Sequence, residues 1–306
     1  MTIFRNKHLL GTILCIITVV IWGITFVSTK VLLDSLTPIQ IMFFRFATAY
    51  STLWILYPKF EPLKSRKEEL LFLLAALSGI TLYFLAETFA LNFGISSNVS
   101  IICSTAPILT AIVAHIFTHD EKLNTKNMLG TFIAFSGVIL IILNGTLNLQ
   151  LNPLGDLLAL LSASCWAFYQ ICIKKIGSHY NYILFTRKTF FYGLLTLLPL
   201  FLFENSELSF EVLLSSEVLL NLLFLGVIAS ALCYVMWSKA VHLIGAVQSS
   251  NYIYICPVIT IIAAYFVLQE QMTFFSIIGS LLVILGVYYS ERPNNTKPDT
   301  HAEDQP

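Results

Sequence analysis

Apolar runs of about 20 residues recur along the whole chain, each bounded by charge, proline or glycine. They predict ten helices, over approximately 9–29, 38–57, 69–90, 96–117, 126–143, 155–173, 181–203, 217–238, 246–268 and 273–290. At about 1.5 Å per residue such runs match the ~30 Å hydrocarbon core of a bilayer. A helix also satisfies its own backbone there, where no water is at hand. The expected fold class is therefore an all-α integral membrane protein with ten transmembrane helices, its connections too short for a sizeable domain outside the bilayer. The first run follows Arg5, Lys7 and His8. It is longer than the apolar core of a signal peptide and no small-x-small cleavage site follows it, so it reads as an uncleaved helix behind a short segment, 1–8. The segment 291–306 is polar, carries three prolines and is expected to be disordered.

Composition supports this reading: 57% of the 306 residues are hydrophobic and 11% charged, against about 25% charged in soluble domains, which excludes a soluble globular enzyme. The 17 basic and 17 acidic residues cancel, which argues against a nucleic-acid partner. Six cysteines (Cys15, Cys103, Cys165, Cys172, Cys233 and Cys256) all lie in apolar runs, with no CxxC pair and no His/Cys cluster at metal spacing. They read as small buried side chains, and neither a metal nor a cofactor is expected.

With the N-terminus placed in the cytoplasm, the inside segments hold Arg5, Lys7, Lys59, Lys64, Arg66, Lys67, Lys122, Lys126, Lys174, Lys175, Lys239, Arg292 and Lys297, and the outside connections hold only Lys30. Such a bias orients a multi-pass protein in the cytoplasmic membrane with both termini inside. The loop from Glu204 to Glu217 has four acids and no Lys or Arg, as an external loop allows. Arg45, Arg187 and Lys188 fall within predicted spans.

The two halves resemble one another. Gly11, Trp22 and Lys30 recur 144 residues later as Gly155, Trp166 and Lys174. Ala90 and Pro107 recur 150 later as Ala240 and Pro257. Glu121, Gly130 and Gly137 recur 149 later as Glu270, Gly279 and Gly286. Each half holds five predicted helices, an odd number, so the second enters the membrane from the opposite side: residues 9–143 and 155–290 form an inverted repeat joined by an external linker, 144–154. Inverted repeats mark many secondary transporters, whose midplane site opens alternately to each side. In two ordered copies, the stretch Ile21 to Lys30, Pro38 followed by Arg45, Ala86, and the paired positions above resemble the EamA repeats of the drug/metabolite transporter superfamily. The second copy departs at Ala167, where the first has Gly23, and at Thr189, opposite Arg45. The resemblance implies ten helices around a cavity lined mainly by helices 1, 3, 4, 6, 8 and 9, and transport of amino acids, metabolites or drugs, commonly outward.

Pro107 and Pro257 fall in the middle of helices 4 and 9. Each abandons the carbonyl four residues earlier, those of Cys103 and Ile253, and reads as a hinge or as a static kink. Arg45 and Glu87 have opposite sign and similar depth in helices 2 and 3. Either they pair with each other or snorkel outward, or Arg45 anchors a substrate carboxylate while Glu87 titrates or binds an amine. Arg187 and Lys188 sit on the cytoplasmic half of helix 7, Lys188 reading as snorkelling to lipid phosphate. Trp22, Tyr83, Trp166, Tyr169 and Trp237 are candidates to stack on a solute, or else packing. Asn98 and Asn251, in polar clusters of helices 4 and 9, offer hydrogen bonds to a substrate or to neighbouring helices. The paired glycines of helices 5 and 10 provide close packing within the chain or between two copies. Asp156 reads as a helix cap.

The expected function is secondary transport of a small metabolite (an amino acid, amine or drug-like solute), directed outward by alternating access. Its expected partners are the solute, the lipid bilayer and a coupling proton or counter-solute, as a monomer or homodimer. No GxxxxGK[ST] loop occurs, so ATP drive would need another subunit. An intramembrane enzyme or a non-transporting sensor or assembly subunit are the competing classes. The first lacks HExxH, GxSxG and paired carboxylates.

Overall fold

Helices form where an apolar run meets an end signal. The computed structural model of the protein describes residues 2–59, 65–93, 102–118, 125–143, 152–176, 180–204, 209–267 and 273–290. Asn98, Glu121, the expected disordered segment 291–306 and most of the 144–154 linker lie outside them. In chain order the helices are α1 (Thr2–Leu33), α2 (Pro38–Leu56), α3 (Arg66–Ala76, continuing through Leu77–Thr81 and Leu82–Phe93), α4 (Ala106–Phe117) and α5 (Thr125–Leu143). The second half repeats the series as α6 (Pro153–Ile176), α7 (Tyr182–Phe203), α8 (Ser216–Leu223, Phe224–Leu232 and Cys233–Ile244), α9 (Ala246–Asn251, Tyr252–Ile255 and Cys256–Val267) and α10 (Phe274–Ser290). Among the described residues there is no strand. Seven of the helices are long and apolar enough to cross a membrane, and three shorter apolar helices accompany them.

The end signals are local chemistry. At α2, Thr37 and Gln40 form a reciprocal capping box ahead of Pro38. Ser65, Asn181 and Ser215 accept backbone N–H groups at the starts of α3, α7 and α8. At α6 the side-chain cap is Asn152, whose Oδ1 accepts from the Gly155 N–H at 3.1 Å, and Asp156 lies in the first turn, where the helix N-terminus favours its carboxylate. Several helices outrun their expected bounds, α1 and α8 furthest. The helix α1 starts at Thr2, and α8 continues past Lys239 to stop only at Gly245, whose φ of 93° favours glycine.

Both α3 and α8 carry a π-helical stretch, Leu77–Thr81 and Phe224–Leu232, at matching places in the repeat. A glycine sits in each where a neighbour presses in. A Cβ on Gly79 would meet the Tyr169 ring at 2.3 Å, and one on Gly226 would meet Thr48 at 2.5 Å. π-stretches are rare and collect at functional sites.

Each of the two prolines follows a local change in helix geometry. Pro107 lies in the first turn of α4 beyond a turn at residues 104–105, and Pro257 follows the 3₁₀ stretch Tyr252–Ile255 of α9. The helix breaks just before each ring because the ring removes a ladder hydrogen bond. In α9 the tightened turn lets the Cys256 N–H reach the Ile253 carbonyl that Pro257 gives up.

The glycines of α5 and α10 pack against each other within the chain. Cβ atoms on Gly137 and Gly279 would each lie 2.6 Å from the other residue's carbonyl oxygen, and Gly130 faces the Gly286 carbonyl at 2.7 Å. The Asn251 side chain then ties α9 to both helices, donating to Ser290 Oγ at 2.6 Å and accepting from Thr131 at 3.2 Å.

Candidate functional site

The end of the bundle where α1 begins and α10 finishes is termed proximal, and the opposite end distal. Between them the buried apolar core gives way to a concentration of aromatic rings contributed by α1, α3, α6 and α8. Trp22 lies 5.4 Å from Trp166, 5.0 Å from Trp237 and 5.6 Å from Tyr234. Trp166 lies 5.3 Å from Tyr83 and 5.4 Å from Tyr169. The five aromatics singled out by sequence are thus brought together, and Tyr234, three residues before Trp237 on the same face of α8, completes the set. Its hydroxyl donates to the Gly79 carbonyl of the α3 π-stretch at 3.3 Å. Symmetrically, the Trp22 indole N–H donates to the Ala229 carbonyl of the α8 π-stretch at 2.9 Å. Each π-stretch therefore presents a carbonyl to a ring of the cluster.

On the distal side of these rings lie two charges. Arg45 is 7% exposed; its Nε donates to Ser230 Oγ at 2.7 Å and its guanidinium stands 4.9 Å over the Phe84 ring. Glu87 accepts from the Tyr83 hydroxyl at 3.1 Å. The mutual ion pair expected as one reading of these two is not formed, although each lies within the other's field. Ser230 and Phe84 hold the guanidinium, Tyr83 holds the carboxylate, and both heads retain hydrogen-bonding capacity. Charges kept inside a membrane bundle without full pairing mark solute or proton pathways. Arg45 has five N–H donors, and among the described residues one is used.

The proximal end is tied by polar contacts from α7. Lys188 does not reach for lipid: its Nζ lies 2.7 Å from Glu69 Oε2 and 4.6 Å over Phe72. Glu69 also accepts from the Tyr192 hydroxyl, and Glu68 from Tyr180 at 2.6 Å. A charge-assisted hydrogen bond to a carboxylate on the neighbouring helix gives the ammonium a partner within the protein. Arg187, 4% exposed, donates to the Tyr57 and Lys59 carbonyls and covers Trp54 at 4.5 Å, closing the C-terminal end of α2. The distal counterpart is apolar: Leu36 and Ile41 pack on Val218 and Leu222, and Phe43 stacks on Phe201 at 4.1 Å. Glu69→Gln removes the ion pair while leaving the Tyr192 contact. With both partners about one-fifth exposed, the expected loss is about 1 kcal/mol. The check is a fall in melting temperature together with a weaker salt dependence.

Tyr234, Ser230, Gln170 and the Glu68/Glu69 pair make contacts that sequence reasoning passed over. Gln170 lies one helical turn beyond Trp166, a spacing that could have flagged it. The others needed the partner helix to be seen.

The sequence model of the EamA-like transporter family matches residues 9–143 and 153–291. An Archaeoglobus fulgidus protein named "Uncharacterized transporter" is 30% identical over 280 residues, 90% of this chain and 95% of its own length. A "Probable amino-acid metabolite efflux pump" of Escherichia coli is 25% identical over 90% of this chain and 93% of its own. A solved crystal structure, 15% identical, superposes with a TM-score of 0.76 over 92% of this chain and 97% of its own, a likeness of fold.

Proposed function

The chain belongs to the EamA-like transporter family, and from that premise we propose that it is a secondary transporter moving a small amino-acid-like metabolite outward across the cytoplasmic membrane by alternating access. The observation that carries this reading is the juxtaposition of Arg45, buried, and Glu87, half-buried, opposite in sign, not joined to each other, and set against a box of aromatic rings. A guanidinium with unused donors suits a carboxylate. A carboxylate with one hydroxyl donor suits an amine or a proton, and the rings suit an apolar or cationic body. The relatives named amino-acid metabolite efflux pumps support both the solute class and the outward direction. The excess of Lys and Arg at the proximal end supports a cytoplasmic position for that end. Transport of this kind needs no cofactor and no bond-making chemistry.

The test is flux in proteoliposomes across a panel of amino acids, amines, nucleosides and organic anions, with and without a pH gradient. Glu87→Gln is expected to abolish the gradient-driven component while leaving the downhill exchange of solute measurable. Unchanged gradient-driven flux in that variant removes Glu87 from the coupling role.

A further inference from the structure

On the proximal side of the Trp22–Trp166 contact, one face of α6 holds polar atoms that the Arg45–Glu87 arrangement does not use. Trp166, Tyr169 and Gln170 lie at i, i+3 and i+4, on one helical face, and are 5%, 0% and 0% exposed. The Trp237 indole N–H donates to Gln170 Oε1 at 3.0 Å. Indole N–H is a donor only, so it must face the amide oxygen, and the Gln170 Nε2 is thereby turned away from it. That amide nitrogen and the Trp166 indole nitrogen are shut off from solvent and have no hydrogen-bond partner. Tyr169 OH on the same face, and Ser238 Oγ next in the chain to Trp237, are also buried and without a hydrogen-bond partner among the described residues. The equivalent face of α1 differs, since there the Trp22 indole is satisfied by the Ala229 carbonyl and Thr25 by the Trp22 carbonyl at 2.6 Å.

An orphaned buried donor costs about 1–3 kcal/mol. A face that served only for packing would gain by being apolar. Two donors carried on one face of α6 and orphaned among the described residues, with two more orphaned hydroxyls on that face and on the facing α8, match an uncharged acceptor such as a carbonyl, amide or sulfoxide oxygen. An anion would lack a counter-charge in this low-dielectric setting. We propose that Gln170, together with Trp166, Tyr169 and Ser238, forms a second binding subsite that takes an uncharged hydrogen-bond acceptor of the carried molecule. It is closed in this conformation and reached from the proximal end when α6 and α8 part. The proposal rests on the transport reading above, which it extends by a selectivity residue. Gln170 selects a solute that bears an oxygen acceptor on its side chain over one of the same shape without it.

Two measurements on the full-length protein test it separately from that reading. In the first, L-norleucine and L-methionine sulfoxide, zwitterions of equal side-chain length of which the second carries an S=O group in place of one methylene, are titrated against the protein in nanodiscs. Wild type is expected to favour the sulfoxide by about tenfold. Gln170→Leu and Gln170→Glu are expected to bring the two within about twofold. A preference that is absent in wild type, or that survives Gln170→Leu, overturns the subsite. If neither compound binds wild type, the amino-acid reading of the solute fails, and the subsite is then judged by access alone. In a background with the native cysteines replaced, Ser238→Cys is expected to react with a membrane-impermeant methanethiosulfonate from the proximal side. Val283→Cys, equally buried between α5 and α10, is expected not to react. Labelling of Ser238→Cys no faster than that of Val283→Cys makes this face static core and overturns the proposal.

Discussion

Arg45→Ala is expected to weaken binding of carboxylate-bearing solutes by about two orders of magnitude and to leave binding of carboxylate-free amines largely intact. The guanidinium is held in place by Ser230 and by the face of Phe84. It has therefore lost little of its remaining donor capacity to the protein, and its ordering does not have to be repeated when a solute arrives. Charge-assisted hydrogen bonds contribute about 1.5–3 kcal/mol each, and two of them to one carboxylate correspond to roughly 100-fold or more in affinity. Arg45→Lys should recover only part of this, since an ammonium keeps the charge but not the fork that lets Nε hold Ser230 while the terminal nitrogens face the solute. Binding titrations with a matched acid and amide, run beside a melting curve, separate loss of the anchor from loss of fold. Equal affinity of Arg45→Ala and wild type for the acid would remove Arg45 from the site.

Gly286→Leu carries the largest expected effect on stability. A Cβ there would stand 2.4 Å from the Ala134 N and 2.6 Å from the Gly130 carbonyl. These are backbone atoms of α5, which cannot swing aside. The two helices would have to separate along their length, and within lipid no hydrophobic force pushes them back together. The cost is expected at or above the top of the ~1–3 kcal/mol range for overpacking, read as a loss of folded, monodisperse protein in detergent and a melting temperature many degrees lower. Gly11→Ala is the contrast. Its Cβ would meet Ile244 Cγ2 at 2.5 Å and Leu243 Cβ at 3.2 Å, side-chain atoms rather than backbone, so a smaller fall in melting temperature than at Gly286 is expected. A Gly286→Leu protein as stable as wild type would show that the α5–α10 seam does not depend on close backbone approach.

The aromatic cluster shows how far residue order reaches. Trp22 and Trp166 could be matched across the repeat because they sit at one offset in two apolar runs, and they do meet, at 5.4 Å. Tyr234 had no repeat partner to mark it, and its importance comes from the π-stretch of α3, which turns the Gly79 carbonyl toward it. A π-turn leaves no composition signal, because it arises where a bulky neighbour, here Tyr169 over Gly79, presses into the helix. Lys188 was misjudged for a related reason. Its distance from the membrane surface could be counted along α7, but the presence of Glu69 opposite depended on how α3 packs beside it.

Helix positions, the inverted repeat and the few charges left within spans were determined by the sequence alone, because hydrophobic length and the cost of a charge in lipid act residue by residue along the chain. Whether Arg45 and Glu87 neutralise one another, which way the Gln170 amide faces, and where α4 and α9 break were decided only by the tertiary structure. Those outcomes depend on which donor, ring or backbone stands a few ångströms away on another helix, and hydrogen bonds and close packing act over no longer range than that.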